Sequence, residues 1–156
     1  MIALIQRVTR ANVQIDTAAG VQTVGKIDRG VLALIGVRRG DTEPAADRLL
    51  ERLLTYRIFS DEQGRMNLSL CDIKGGLLLV PQFTLAADTQ KGTRAGFSTA
   101  AAPEVARALF AYLLERAKAS HTPVQAGVFG ANMQVSLVND GPVTFWLEAP
   151  AASVRS

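Results

Sequence analysis

Two short segments contain the residues whose types and spacing bear most directly on chemistry. Residues 81–85 (Pro-Gln-Phe-Thr-Leu) close an apolar run, and residues 139–144 (Asn-Asp-Gly-Pro-Val-Thr) lie between two strand-like stretches. Apart from the carboxylate of Asp140, neither segment supplies a conventional base, and neither supplies a thiol nucleophile. Any reaction that they support must therefore depend largely on backbone groups and on the hydroxyl of Thr84.

Each segment also has a purely structural interpretation. Asn, Asp, Gly and Pro are the residues that turns require, so residues 139–142 by spacing alone favour a simple hairpin connection. The alternative depends on Gly141 and Pro142, because only an X-Pro bond reaches the cis state cheaply, at about 0.5–1 kcal/mol. A cis bond would direct two consecutive carbonyl oxygens the same way, where they can bind an ammonium group or obstruct a side chain. Residues 82–84, taken alone, are typical of a strand end with a core phenylalanine.

Composition limits the class of protein. A chain of 156 residues with 48% hydrophobic and 20% charged residues fits one globular domain. No apolar run approaches the roughly 20 residues that span a bilayer, and the apolar N-terminus has no basic leader, so we expect a cytoplasmic protein without membrane contact. Cys71 and His121 are the only residues of their types, which predicts no disulfide, no metal and no cofactor. The net charge of +3 is compatible with a phosphate-bearing partner but not with a DNA-coating protein.

The elements that must position the two segments follow from the apolar pattern. Asp41 or Thr42 is predicted to cap a first helix, and Pro103 to open a second. The buried stripes of these helices are predicted to contain Ala46, Leu49, Leu50, Leu53 and Leu54 in the first, and Val105, Ala106, Leu109, Phe110, Leu113 and Ala117 in the second. Strands are predicted at residues 1–9, 11–16, 21–27, 31–37, 77–80, 123–128, 133–138 and 143–148.

These elements predict an α/β (α+β) domain over residues 1–148, with two main helices packed on a mixed, barrel-like β-sheet. Residues 86–102 contain several Gly, Thr and Ser residues and no clear period, which predicts a long loop of the kind that lines sites. Residues 149–156 are predicted to form a frayed, disordered tail.

Both segments occur together in a chain that resembles the bacterial D-aminoacyl-tRNA deacylases (the D-tyrosyl-tRNA(Tyr) deacylase family) over nearly its whole length. The resemblance is carried by residues 1–8, 56–61, 66–68, 82–88 (Gln-Phe-Thr-Leu-Ala-Ala-Asp) and 133–146, which include Asn-Asp-Gly-Pro-Val-Thr-Phe-Trp. The combination of the two motifs, some fifty residues apart, is highly specific, whereas either motif alone is weak.

The resemblance implies hydrolysis of the ester that joins a D-amino acid to the 3′ end of tRNA, and removal of glycine from mischarged tRNA. It implies a homodimer in which the Gly-Pro loop of one subunit enters the pocket of the other. Gly141 and Pro142 match the family's cis dipeptide, which screens chirality with its carbonyls, and Arg7 matches the arginine that holds this loop. Gln82, Phe83 and Thr84 match the pocket floor, with backbone N–H groups near the ester. Phe129 and Met133 match positions near the terminal adenine, although plain core packing explains them equally well.

One residue departs from the family pattern, because Pro81 stands where serine is common. Proline has neither the hydroxyl nor an N–H, so a serine nucleophile is impossible at this position. An aminoacyl ester is already activated, and the family is thought to use the ribose 2′-hydroxyl and backbone donors. Of the two options, that this member is impaired or that the serine is dispensable, this chemistry favours the second. Thr84 as a covalent nucleophile is the alternative mechanism, and it has no evident base.

Two further functional classes stay open from sequence. A related editing deacylase with relaxed chirality would follow if the Gly-Pro bond were trans and the pocket larger. A non-catalytic RNA-binding module would bind tRNA in a salt-dependent way and leave every ester intact, but the small net charge argues against it.

Overall fold

The computed structural model describes residues 1–151. They form eight strands, three helices and one 3₁₀ turn. The strands are Ile2–Thr17 (β1), Gly20–Ile27 (β2), Gly30–Gly36 (β3), Phe59–Ser60 (β4), Met66–Leu68 (β5), Gly76–Pro81 (β6), Val124–Ala126 (β7) and Met133–Glu148 (β8). The helices are Glu43–Thr55 (α1), Leu70–Ile73 (α2) and Pro103–Ser120 (α3), and the 3₁₀ turn is Phe83–Ala86.

The main sheet has the order β2-β1-β3-β6-β7, and β8 pairs with β1 outside this path. The pairs that involve β1 are antiparallel, whereas β3, β6 and β7 run parallel. The strand β1 pairs with β3 along its first half and with β2 along its second half. This change of partner curls the sheet into the nearly closed, mixed barrel that was expected.

Apolar residues fill both faces of this sheet. A larger cluster lies between the sheet and the helices α1 and α3, and a smaller one lies inside the curl, where Val8, Leu32 and Leu78 meet. Strands β3 and β6 are buried almost throughout, as expected for parallel strands that are covered on both sides. The fold is thus the predicted α+β arrangement with two main helices.

Two pairs of predicted strands turned out to be continuous. Residues 1–9 and 11–16 form the single strand β1, and residues 133–138 and 143–148 form the single strand β8. The hairpin interpretation of residues 139–142 is therefore wrong, because β8 runs antiparallel to β1 from Met133 to Glu148. Turn-forming residues are accommodated here by a bulge inside a strand pair.

The helix predictions hold with two exceptions. The buried stripe of α1 is as predicted, and five of the six positions named for α3 are buried, but Val105 is 44% exposed. Thr42 is the N-cap residue of α1 without a side-chain hydrogen bond. The carboxylate of Asp41 is engaged elsewhere, because it accepts hydrogen bonds from the Met1 amino group and the Arg38 amide.

The short elements between α1 and β6 were not predicted. Residues 59–68 form the two-stranded hairpin β4-β5, and the four-residue helix α2 follows, with a capping box between Ser69 and Asp72. These elements are too short to show a period. None of the helices within residues 1–151 is long and apolar enough to cross a membrane.

Ala149, the first residue of the predicted tail, packs against the fold. Ala149 is fully buried, and its amide donates a hydrogen bond to the carbonyl of Met1. The N-terminal strand and the end of β8 are thereby joined. Residues 152–156, the remainder of the predicted tail, lie outside the described residues.

Candidate active site

The first half of the site is the turn that follows β6. The amide of Gln82 donates to the carbonyl of Ile35 at 2.7 Å and extends the pairing with β3 by one residue. The 3₁₀ turn then begins at Phe83, and the first amides of such a turn have no acceptor within it. Among the described residues, the N–H groups of Phe83 and Thr84 have no hydrogen-bond partner. Two adjacent backbone donors are therefore available at this point.

Pro81 fits the end of β6 without cost to the sheet. Since the N–H of Gln82 points towards β3, the backbone nitrogen of Pro81 points to the opposite side, beyond the last hydrogen bond between β6 and the β7 side, which runs from the Gly127 amide to the Leu79 carbonyl. A residue there needs no N–H for the ladder. The proline in place of serine thus removes a hydroxyl from the site and leaves the pairing of β6 intact.

The hydroxyl of Thr84 is held by an amide. The side-chain Nε2 of Gln82 donates to the Thr84 Oγ1 at 2.6 Å. Thr84 faces an open cavity of about 550 Å³ beside the exposed ring of Trp146, and Arg38 and Thr99 also line it. The indole N–H of Trp146 donates to Glu148 Oε1 at 2.7 Å, and this bond holds the pKa of Glu148 below its usual value, with help from Arg38.

Aromatic rings surround Phe83 on two sides. The Phe83 ring stacks on the ring of Phe97 with centroids 4.8 Å apart, and both side chains are more than 40% exposed. A narrow cleft joins Phe83 and Gln82 to the half-buried Phe129, whose ring lies 4.8 Å beneath the guanidinium of Arg107. The sequence did not single out Phe97 or Arg107, because both lie in stretches that were assigned only as a loop and a helix.

Met133 lies next to this cleft. Its sulfur accepts a weak hydrogen bond from the Val128 amide at 3.4 Å, and its side chain packs against the cluster inside the curled sheet. The structure therefore places Phe129 in the cleft that Gln82 and Phe83 line, and Met133 beside Gly127, which in turn lies next to Pro81. Both side chains are partly buried against the core. Core packing and a position near the terminal adenine are therefore compatible interpretations of these residues.

The second half of the site is a bulge in β8 opposite Arg7. The register passes from Gln6 paired with Thr144 to Val8 paired with Asn139, so residues 140–143 have no partners on β1. The peptide bond between Gly141 and Pro142 is cis, as the resemblance implies. Both residues are exposed.

Arg7 holds this bulge in place. Its Nε donates to the carbonyl of Asp140 at 3.0 Å, and its Nη1 donates to the carbonyl of Ile58 at 2.7 Å. The Asp140 carboxylate lies 3.6 Å from the same Nε. One partly buried guanidinium thus ties the bulge to the segment that precedes β4.

Asn139 closes the bulge from inside. Its Oδ1 accepts from the amide of Val143, and its Nδ2 donates to the hydroxyl of Thr144, both at 2.9 Å. In the sequence, Asn139 is noticed only as part of the motif. Its spacing of four residues from Val143 and five from Thr144 is the feature that would have predicted these two hydrogen bonds.

One chain does not bring the two halves together. The 3₁₀ turn packs on Gly36, whose partner on β1 is Ile2, whereas the bulge lies opposite Arg7. Five residues of extended strand separate those two positions, which corresponds to roughly 17 Å. Gln82, Phe83, Thr84, Phe129 and Met133 form one group in this structure, and Arg7, Gly141 and Pro142 form another.

The chain's imidazole and thiol lie away from both groups. His121 is 2.6 Å from the carbonyl of Gly75, before the start of β6, while Gln82 follows its end. Cys71 is exposed in α2, and partial burial raises the pKa of its thiol. Within residues 1–151, no group of three or more His, Cys, Asp or Glu side chains is placed to hold a metal ion.

Comparison with known proteins gives a consistent result over the whole chain. The model of the family described as D-Tyr-tRNA(Tyr) deacylase matches residues 4–148. The D-aminoacyl-tRNA deacylase of Thioalkalivibrio sulfidiphilus is 66% identical over 150 residues, which cover 96% of this chain and 98% of the relative. The enzyme of the same name from Alkalilimnicola ehrlichii is 64% identical over 154 residues, covering 98% of this chain and all of the relative.

Two solved structures share the fold. One, described as "c-Myc DNA Unwinding Element Binding Protein", has a TM-score of 0.89 at 37% identity and covers 97% of this chain and all of its own. The other, described as a "probable eukaryotic D-amino acid tRNA deacylase", has a TM-score of 0.76 at 18% identity, with coverage of 94% and 98%. The second likeness concerns the fold alone.

Proposed function

The chain belongs to the D-Tyr-tRNA(Tyr) deacylase family, and we propose that its two separated groups of residues form one ester-hydrolysing site between two subunits. The protein is a D-aminoacyl-tRNA deacylase, a hydrolase that acts on ester bonds and serves translational proofreading. Water attacks the ester carbonyl, the bond to the ribose oxygen breaks, and a free D-amino acid and tRNA are released.

The observation that carries the mechanism is the pair of unpaired amides at Phe83 and Thr84. Amide donors that face a developing oxyanion are worth about 3–4 kcal/mol each. Because an aminoacyl ester is already reactive, two such donors lower the activation barrier far enough for catalysis. Each reduction of about 1.4 kcal/mol in that barrier raises the rate tenfold. The ribose 2′-hydroxyl of the substrate then assists the water, and the protein positions both.

The Gly-Pro bulge supplies the stereochemical screen in this proposal. The carbonyl of Asp140 is occupied by Arg7, whereas residues 141 and 142 have no partner on β1 and are exposed. Their carbonyls are directed at the α-ammonium group of the substrate and leave no room for an L side chain. Arg7 and Asn139 fix this geometry from either side.

The separation of the halves supports a homodimer. A bulge that lies roughly 17 Å from its own Thr84 along one strand reaches a pocket only in a second copy of the chain. Each subunit then lends its Gly-Pro bulge to the pocket of its partner. Phe129, in the cleft that Gln82 and Phe83 line, and Met133, beside Gly127, contact the terminal adenosine of the tRNA.

Glycyl-tRNA follows as a second substrate. A screen that acts by excluding an L side chain has nothing to exclude in glycine, so we propose that glycine mischarged on tRNA(Ala) is also removed. We propose that this activity is cytoplasmic, because the aminoacyl-tRNA substrates of translation are found there.

Deacylation of matched D- and L-tyrosyl-tRNA tests the proposal. We expect rapid release of D-tyrosine, and of glycine from glycyl-tRNA(Ala) assayed alongside, with L-tyrosyl-tRNA untouched. Hydrolysis of L-alanyl- and L-threonyl-tRNA at comparable rates would replace the proposal by an editing deacylase of relaxed chirality. Salt-dependent binding of tRNA with every ester intact would indicate an RNA-binding module instead.

A further inference from the structure

A short hairpin-like loop projects beside the pocket, and we call residues 88–97 the basic arm. Its base is closed by two reciprocal backbone hydrogen bonds between Asp88 and Gly96, at 2.8 and 3.0 Å. The carboxylate of Asp88, the only acidic group of the arm, accepts a hydrogen bond from the amide of Gln90. The arm therefore has a defined base and an exposed tip.

The tip carries two cations without acidic partners. Lys91 and Arg94 are exposed, and neither forms an ion pair with any of the described residues. Four arginines elsewhere in the described residues form ion pairs, among them Arg48 with Glu51 and Arg116 with Asp47, whereas the other described lysines and arginines, like those of the arm, form none. The positive charge of the arm is thus available to an external anion.

An aromatic platform connects the arm to the pocket. Phe97 ends the arm, and its ring stacks on that of Phe83, which is adjacent to Thr84. Exposed aromatic rings and unpaired cations in one short segment are the combination that binds single-stranded RNA, because bases stack on the rings and phosphates pair with the cations.

We infer that the basic arm binds the single-stranded 3′ end of the tRNA, with Lys91 and Arg94 pairing with backbone phosphates and the Phe83–Phe97 pair supporting a base. This inference rests on the proposed function, since that function puts the terminal ester at Thr84. The arm then holds the nucleotides that precede the terminal adenosine. It contributes to the recognition of RNA and takes no part in the chemical step.

The test compares two substrates that carry the same ester, one with and one without the RNA chain that precedes the terminal adenosine. One is D-tyrosyl-tRNA, and the other is adenosine carrying the same D-tyrosyl ester. The double variant Lys91→Ala/Arg94→Ala is compared with the wild type, with the charge-preserving variant Lys91→Arg/Arg94→Lys, and with Lys26→Ala/Lys118→Ala. The last variant removes the same charge from exposed positions on β2 and at the end of α3.

We expect kcat/KM for D-tyrosyl-tRNA to fall about tenfold at low salt in the arm variant only, with the adenosine ester unaffected. Each phosphate contact on a single strand contributes about 0.7 to the salt slope of binding, so the slope should decrease by about 1.4. The charge-preserving variant should retain the wild-type slope.

The inference would be overturned if the salt slope of the arm variant equalled that of the wild type. It would also be overturned if kcat/KM fell equally for both substrates, or fell equally in the Lys26→Ala/Lys118→Ala control. If the wild-type chain hydrolyses neither ester, the proposed function fails. The role of the arm is then tested by measuring the affinity for deacylated tRNA over the same salt series. The inference is rejected if the salt slope of the arm variant equals that of the wild type.

Discussion

Thr84 accepts a short hydrogen bond from the amide of Gln82, and an amide N–H cannot remove the hydroxyl proton. A threonine nucleophile requires an adjacent base, but the chain's one imidazole is bonded to Gly75 at the other end of β6. The hydroxyl is therefore positioned without being activated. Pro81 also agrees with a mechanism that uses no side-chain nucleophile, because the residue at this position has no hydroxyl.

Thr84→Val tests the role of the hydroxyl directly. The change keeps the shape and the backbone amide, so we expect kcat/KM for D-tyrosyl-tRNA to stay within about tenfold of the wild type. Single-turnover deacylation measures this. A loss of several orders of magnitude, with an unchanged circular dichroism spectrum and melting temperature, would favour threonine as the nucleophile.

Gly141→Ala tests the screening bulge. Gly141 has a φ of +138°, and an added Cβ would lie 2.7 Å from Cγ2 of Val143 and 3.2 Å from the Arg7 guanidinium. Strain of about 1–3 kcal/mol and these contacts should displace the bulge and lower kcat/KM for D-tyrosyl-tRNA by about tenfold or more.

A matched control separates strain from the clash. Gly20 also has a positive φ, of +108°, but a Cβ there meets nothing within 4 Å. Gly20→Ala should therefore leave deacylation unchanged. Full activity of Gly141→Ala would show that the geometry of the bulge does not matter to the reaction.

At the scale of elements, apolar periodicity predicted much of what the structure contains. The stripe of α1 and the buried strand β3 follow directly from it, because their side chains face a core on one side or on both. The continuity of β8 was missed because Asn, Asp, Gly and Pro have the composition of a turn. Only the long-range pairing with β1, which a local pattern does not contain, distinguishes a bulge from a hairpin.

The end of β8 offers a spectroscopic prediction. Trp146 is the only tryptophan, and its indole donates to Glu148. This bond holds the folded-state pKa of Glu148 below the ordinary 4.5. The ionised Glu148 carboxylate therefore stabilises the folded state fully above pH 4.5, and this stabilisation is lost as the pH falls through the folded-state pKa. We expect tryptophan emission to titrate with a midpoint below 4.5.

The control for this titration is Glu148→Gln, which keeps a carbonyl acceptor for the indole and removes the titrating group. Its emission should be flat over the same pH range while the protein remains folded. A transition of equal size and midpoint in this variant would contradict the assignment to Glu148.

At the scale of the whole molecule, the sequence identified both halves of the site, but only through their resemblance to a family. Residue types in the two segments indicated backbone chemistry without showing where the segments meet. The folded chain keeps them five residues apart along the first half of β1, since Ile2 lies at the 3₁₀ turn and Arg7 at the bulge. A single sequence contains no local signal for a contact between two copies.

A symmetric pair of chains constrains where their axis lies. If each bulge fills the other chain's pocket, the two-fold axis crosses β1 and β8 midway between them. That midpoint is near the paired residues Leu4 and Trp146, and the Trp146 side chain is 49% exposed in the single chain. We propose that the dimer interface covers it.

Complementation between two defective subunits tests most directly whether the site is shared. One subunit carries Gly141→Ala in the bulge, and the other carries Thr84→Phe, which fills the pocket. Each homodimer should be nearly inactive. After the two are unfolded and refolded together, half of the dimers should be mixed, each with one intact site, so about a quarter of the wild-type activity on D-tyrosyl-tRNA should return. No recovery in a mixture shown to contain mixed dimers would contradict a site built from two chains.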